Sequence, residues 1–197
     1  MNIKNYIYIT LLILLTSYST SAVALESVDV SVLQRPVVSY TSTEATSLLN
    51  LKKPLQSTFK AWVVVFLSVK CPCSNGHLSR LKALQQRYHE KGFVFVGVHS
   101  NTDESTAQNY FRDQQLGFPV IDDRSQVFAN AFSALKTPHI FVVESTGRVL
   151  YQGGVDDCKT GETPKRDFLA DALADLTSGR AVQVREGKVL GCRIARP

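Results

Sequence analysis

Two rhythms of apolar and polar positions run through this chain. Trp62 to Leu67 is an unbroken apolar run, and Phe93 to Val98 is a second. Runs of this length, bounded by polar residues, read as strands buried on both faces. Between them Leu78, Leu81, Leu84 and Tyr88 recur every three to four residues, the spacing of a helix with one buried face, and Gly92 stands where a left-handed residue would close it. Asn101-Thr102-Asp103-Glu104 predicts a second helix start, with Ala107, Tyr110 and Phe111 turned inward until Gly117. Phe118 to Ile121 predicts a short strand, after which Asp122-Asp123-Arg124 turns into a brief helix around Val127, Phe128 and Ala131. Ile140 to Val143 and Val149 to Tyr151 flank Ser145-Thr146-Gly147 as a hairpin. Thr163, with Pro164 behind it, predicts the cap of a last helix whose buried face carries Phe168, Leu169, Ala172, Leu173 and Leu176 and which stops at Gly179.

Ahead of these elements, Val28, Val30 and Val32 alternate with polar residues and Val37-Val38 follow Pro36, a pattern of one or two short strands. Thr43 to Leu51 has helical spacing. The order β-α-β-α-β-(α)-β-β-α combines parallel crossovers with an antiparallel edge, and predicts an α/β three-layer sandwich with a central mixed β-sheet flanked by helices.

The first residues stand apart from this pattern. Lys4, the apolar stretch Tyr6 to Leu15 and Ala22-Val23-Ala24 have the three parts of an export signal, with cleavage after Ala24. The expected organisation is therefore a signal peptide over 1–24, one domain with an N-terminal extension over 25–179, and a tail over 180–197 in a periplasmic or secreted protein without stable membrane association after cleavage. The formal net charge is +5, but basic residues are scattered among acids, which argues against a nucleic-acid partner. Four cysteines, Cys71, Cys73, Cys158 and Cys192, are compatible with disulfides in an oxidising compartment but are too few for a disulfide-stapled scaffold.

Chemistry concentrates where the first strand ends. Ser68-Val69-Lys70 stops the apolar run and Cys71-Pro72-Cys73 leads into the helix-period pattern. Proline is favoured at the first helical position, so Cys71 is expected at the N-cap and Cys73 in the first turn; Ser74 is the alternative cap. Unpaired N–H groups and the helix dipole favour an anion there, and Lys70, His77 and Arg80 are local cations. A thiolate at Cys71 is the expectation. Thr137-Pro138-His139, just before a predicted strand, is the second half of the candidate site: a cis proline would expose the preceding backbone, while a trans proline would only end the loop. Asp156-Asp157, after Gly153-Gly154, reads as a turn or cap.

On the residues VVVFLSVKCP, FVFVGV, GFPVIDD, KTPHIFVVESTGRV and YQGG, the chain resembles the thioredoxin superfamily, and within it the redoxins grouped as alkyl hydroperoxide reductase/thiol-specific antioxidant proteins. The tail through Gly191-Cys192-Arg193-Ile194 resembles that of an exported branch. The resemblance implies that Cys71 is the attacking cysteine and Thr137-Pro138 a cis-proline loop lying against it. It implies thiol–disulfide oxidoreductase activity on protein thiols or disulfides, with no cofactor.

Departures from the family patterns keep alternatives open. Ser74 occupies the second position of Cys-x-x-Cys, which leaves Cys73 as the near partner of Cys71 through a strained ring. In the peroxidase pattern Pro-x-x-x-Thr-x-x-Cys, Ser68 replaces the threonine and Val64 the proline, so a peroxide-reducing Cys71 is the second reading. Asn75 replaces the second cysteine of the copper-delivering pattern Cys-x-x-x-Cys. Cys71 and Cys73 with His77 or His139 would still make a soft-metal site for copper, the third reading. Cys158 and Cys192 are the candidate structural disulfide, with Cys192 as a mobile resolving thiol the rival use of the tail.

Overall fold

The computed structural model describes residues 26–41, 46–52, 57–102, 106–160 and 163–196, so the signal peptide expected over 1–24 lies outside the described residues. The first apolar run forms β1 (Ala61–Leu67), buried along its whole length. It is the centre of a five-stranded sheet ordered β3-β2-β1-β5-β6. On one side β2 (Phe93–His99) runs parallel to β1, and β3 (Val120–Asp122) runs parallel to β2. On the other side β5 (His139–Val143) is antiparallel to β1, and β6 (Val149–Gly153) is antiparallel to β5. The mixed sheet is as the pattern predicts.

Strand alternation divides the core in two. Ala61, Val63, Val65 and Leu67 meet Leu78, Leu81 and Leu84 of α3 (Pro72–Tyr88), Phe111 of α4 (Ala107–Gln114), and Leu169 and Leu173 of α6 (Phe168–Thr177). Trp62, Val64 and Phe66 point the other way. They meet Leu33 of α1 (Val30–Gln34), Leu48 of α2 (Leu48–Leu51) and Phe128 of α5 (Val127–Ala131). With helices on both faces, a strand in the middle has no solvent-facing side, which is why β1 is apolar at every step and β2 has no polar side chain before His99.

Several local expectations are corrected. Val30 and Val32 lie in α1 rather than a strand, because Asp29 caps a helical turn by accepting from the Ser31 N–H (2.9 Å) and the turn buries Leu33. Only Val37 of the Val37-Val38 pair is buried, in an isolated bridge to Thr46. α2 is shorter than the pattern over 43–51; residues 42–45 lie outside the described ones, as do 103–105 in the predicted start of α4. Helix α4 closes at Gln115 in the left-handed region (φ 49°), ahead of Gly117. Thr163 does not cap α6, whose N-cap is Asp167. The intervening segment is held elsewhere: Asp157 Oδ1 accepts from the Lys165 and Arg166 N–H groups at 2.9 and 3.2 Å.

The tail is not an appendage. Its β7 (Cys192–Arg193) pairs antiparallel with β4 (Lys136–Thr137), the two residues before Pro138. Ile194 enters the second core at 5 % exposure, and its N–H donates to the Leu135 carbonyl at 3.0 Å. Among the described residues, no helix is long and apolar enough to cross a membrane.

Candidate active site

Pro72 occupies the first turn of α3, which leaves Cys71 at the N-cap with extended backbone (φ −86°, ψ 111°). The Cys71 sulfur accepts from the Ser74 N–H at 3.4 Å, as a capping oxygen would. Ser74 Oγ in turn accepts from the Ser68 N–H at 3.1 Å, tying the end of β1 to the helix. Ser68 thus reaches the site through its amide. Cys71 is only 1 % exposed and, as a thiol, donates to the Thr137 carbonyl at 3.0 Å. The Thr137-Pro138 peptide is cis.

The register of β4 and β7 sets Cys192 opposite Thr137. This requires Gly191, because a Cβ there would lie 2.0 Å from the Thr137 oxygen and 2.7 Å from its carbonyl carbon. Cys192 is thereby brought to the helix start, and the Cys71, Cys73 and Cys192 sulfurs all lie within 4.8 Å of one another. All four cysteines carry free thiols, and Cys158 belongs to a different cluster with Asp156 and Asp157. The partner expected for Cys192 was Cys158. The structure gives it Cys71 and Cys73, because the tail continues along β4 instead of crossing the last helix.

The three thiols are electrostatically unequal. Burial alone would push the Cys71 thiol up. Hydrogen bonds from the Cys192 thiol, the Thr137 hydroxyl and the N–H groups of Ser74 and Cys192 outweigh it, and Cys71 ionises below the usual thiol range. The Thr137 hydroxyl is buried and has no acceptor while Cys71 is a thiol, and the Cys71 thiolate is the acceptor it lacks. Cys192 is pushed up to about 12, first by burial and then by the hydrogen bond it gives to Cys71 and the Cys71 charge. Cys73 is also raised, by burial and then by the Cys71 charge, with Lys159 acting against both. One negative charge therefore settles on Cys71 while its neighbours keep their protons.

The histidines do not face the sulfurs. His77 Nδ1 donates to the Cys73 carbonyl (2.6 Å) and Nε2 faces Asp156 Oδ1 (3.1 Å). Arg80 pairs with the other Asp156 oxygen, and the Cys158 N–H donates to Asp156 Oδ1 at 2.7 Å. Asp156, which the sequence presents as a turn residue, is a buried hub that fastens α3 to the loop after β6. Gly76 marks the same fastening, since a Cβ there would lie 2.5 Å from the Thr160 oxygen. Burial, and then the Arg80 charge, hold the His77 pKa below the usual histidine range, with the Cys73 carbonyl opposing. His139 packs on Phe141 (centroids 4.4 Å apart) and lines a cavity of about 310 Å³ with Leu135 and Val189. Its Nδ1 is buried without a partner, and burial followed by the Lys136 charge lowers its pKa to about 4. The soft-metal set expected from two cysteines and a histidine is not assembled; the third ligand-bearing group at Cys71 and Cys73 is Cys192.

A family model described as Redoxin matches residues 35–170. Among curated proteins, the chain is 22 % identical over 94 residues to the thiol-disulfide oxidoreductase ResA of Halalkalibacterium halodurans, which covers 47 % of this chain and 53 % of that protein. The chain thus spans about half the length of that relative. Among solved structures, an uncharacterized conserved protein of Geobacillus kaustophilus superposes with a TM-score of 0.71 at 24 % identity, covering 90 % of this chain and 98 % of the other. A peroxiredoxin Q of Xanthomonas campestris superposes with a TM-score of 0.56 at 17 % identity, covering 79 % and 98 %. At these identities the superpositions establish a shared thioredoxin-like fold.

Proposed function

Because the chain belongs to the redoxin family, we propose that it is an exported thiol–disulfide oxidoreductase in which Cys71 attacks and Cys192, from the tail, resolves. The observation that carries this reading is the meeting of the Cys71 and Cys192 thiols beside Thr137, with opposite shifts in acidity. In the reductive direction the Cys71 thiolate attacks one sulfur of a substrate disulfide, and the other sulfur leaves as a thiolate that takes up a proton. Cys71 is then bonded to the substrate and no longer carries charge. The anion that kept the Cys192 proton in place has gone, so Cys192 ionises more readily and attacks the Cys71 sulfur. The second substrate thiolate leaves, two electrons have passed to the substrate, and a Cys71–Cys192 disulfide remains. The oxidative direction is the same sequence reversed.

Cys73 is the weaker partner for geometric reasons. Although the two sulfurs are close, a Cys71–Cys73 bond would close a small ring through Pro72 inside the first turn. Cys192 approaches from an opposing strand and needs no unwinding. Peroxide reduction is the second reading, favoured by the unpartnered Thr137 hydroxyl beside Cys71, a donor for an anionic sulfur or a bound peroxide oxygen.

The test is to reduce the protein, treat it with one equivalent of a small-molecule disulfide, quench with acid and map the linked peptides by mass. Cys71–Cys192 is the expected link, and Cys192→Ser is expected to accumulate the mixed disulfide on Cys71. A Cys71–Cys73 link in the wild type would overturn the assignment. Hydrogen peroxide in place of the disulfide separates the second reading: rapid oxidation with a sulfenic acid trapped in Cys192→Ser would favour it. Export rests on the leader pattern of residues 1–24, and a mature amino terminus at Leu25 is the expected result of intact-mass measurement.

A further inference from the structure

Three sulfurs within 4.8 Å of one another, with neither a histidine nor a carboxylate in the cluster, make a donor set of one chemical kind. The nearby imidazoles are committed elsewhere, His77 to Asp156 and the Cys73 carbonyl, and His139 to its own apolar pocket. Calcium and magnesium take oxygen ligands, zinc with three protein ligands still needs a water or substrate to complete its tetrahedron, and iron–sulfur clusters are held by four cysteines. A soft monovalent d¹⁰ cation is satisfied by two or three thiolates. The surroundings suit sulfur ligands: the Ser74 N–H at the helix start donates to Cys71 at 3.4 Å, and the register of β4 and β7 sets Cys192 opposite Thr137, whose carbonyl accepts from Cys71. Cys71 lies at the buried end of the cluster, while Cys73 is half-buried and Cys192 exposed, so an ion has a way in.

We propose that the reduced protein binds one Cu(I) ion through the sulfurs of Cys71, Cys73 and Cys192. This gives Cys73 a role that the disulfide chemistry leaves open. Binding involves no electron transfer; it displaces the protons still held by the three thiols. Metal and disulfide exclude each other, because a Cys71–Cys192 bond consumes two of the three ligands. The site rests on the same placement of Cys192 as the proposed function but does not require that function.

The experiment is an anaerobic titration of the reduced full chain with Cu(I) supplied as a coloured chelate, following the colour lost as the protein takes the metal. One equivalent retained is expected. Cys73→Ser and Cys192→Ser should each weaken retention by at least about tenfold, a difference of roughly 1.4 kcal/mol or more, while Cys158→Ser should bind as the wild type does. On the unsubstituted protein, copper should protect Cys71, Cys73 and Cys192 from maleimide and leave Cys158 to react, which tests the ligand set without relying on the folding of any variant. No retention, retention unchanged in Cys192→Ser, or stronger retention of Zn(II) in a parallel titration would overturn the proposal. Formation of a Cys71–Cys192 disulfide in metal-free buffer is a separate readout: the disulfide without copper retention overturns the copper site alone, and copper retention without the disulfide overturns the exchange reading alone.

Discussion

Gly191→Ala is the substitution that best tests the placement of the tail. The new Cβ would lie 2.0 Å from the Thr137 oxygen, a backbone atom of β4 that cannot be turned aside as a flexible side chain could. β7 must therefore leave β4. What is lost is the burial of Ile194, up to roughly 2–3 kcal/mol, together with hydrogen bonds from Ile194 N–H to Leu135, Ala195 N–H to Asn101 and Arg196 to Ala134. Each of these contributes about 1 kcal/mol net. What is regained is the freedom of the residues from Cys192 to Arg196, about 1–2 kcal/mol apiece in backbone entropy. Contacts worth about 5–6 kcal/mol stand against chain freedom worth about 5 kcal/mol at the low end of that range, so detachment should lower global stability by no more than about 1 kcal/mol.

At the site the same detachment is decisive. Cys71 loses the Cys192 thiol and N–H that help hold it as a thiolate, and Cys192 loses the burial and the neighbouring charge that hold its proton. Alkylation at pH 7 to 8 with timed acid quench and mass mapping reads both. In the wild type Cys71 should react first and Cys192 slowly despite its exposure; in Gly191→Ala the order should narrow or invert, with thermal unfolding little changed. A variant with wild-type alkylation rates at both residues would refute the idea that the tail tunes Cys71.

Three further outcomes are expected. Asp156→Asn leaves Arg80 and His77 facing an amide in a site where Asp156 is 2 % exposed, and should cost about 2–4 kcal/mol in urea unfolding. Since His139 is held neutral with a folded pKa of about 4, against 6.5 in an unfolded chain, the unfolded state takes up its proton first as pH falls. Stability is present above pH 6.5 and lost progressively toward pH 4, on the order of 3 kcal/mol in full; a stability–pH profile of His139→Gln should be flatter over that window. Trp62→Phe removes the buried bond from Nε1–H to the Leu48 carbonyl (2.9 Å), and denaturant unfolding should show a loss of about 1–2 kcal/mol.

The sheet and the principal helices were legible in the sequence because each buried face is written at its own period. Runs without polar breaks marked β1 and β2, and the spacing of Leu78, Leu81, Leu84 and Tyr88 marked α3. The place of Cys71 at the N-cap of α3 was legible for a local reason, a strand end followed by Cys-Pro at a helix start. Long-range pairings were not. Nothing near Cys192 in the sequence states that it will lie opposite Thr137, and a cysteine in a tail is equally suited to Cys158. Two weak signals were present: Gly191, which a close backbone approach and a positive φ both favour, and Ile194, a branched apolar residue set between Arg193 and Ala195-Arg196. Asp156 was obscured in the same way, since its carboxylate serves partners on α3 that are far from it in sequence.

The placement of the second thiol on the tail also explains why the usual pair of active-site cysteines can be absent from α3. In a Cys-x-x-Cys site both sulfurs share one helix start and compete for the same N–H groups. Here Cys71 keeps the Ser74 N–H to itself, and its partner arrives on a strand held by Gly191 and Ile194. The thiol and N–H of that partner both help to hold the Cys71 sulfur as an anion before it reacts. Until Cys71 forms a bond, that anion keeps the Cys192 proton in place; afterwards it cannot. In the proposed exchange, the order of events, first Cys71 and then Cys192, would be set by which sulfur carries the charge at each stage. Cys192→Ser should slow the second step and leave the first, with Cys71 still more reactive than Cys73.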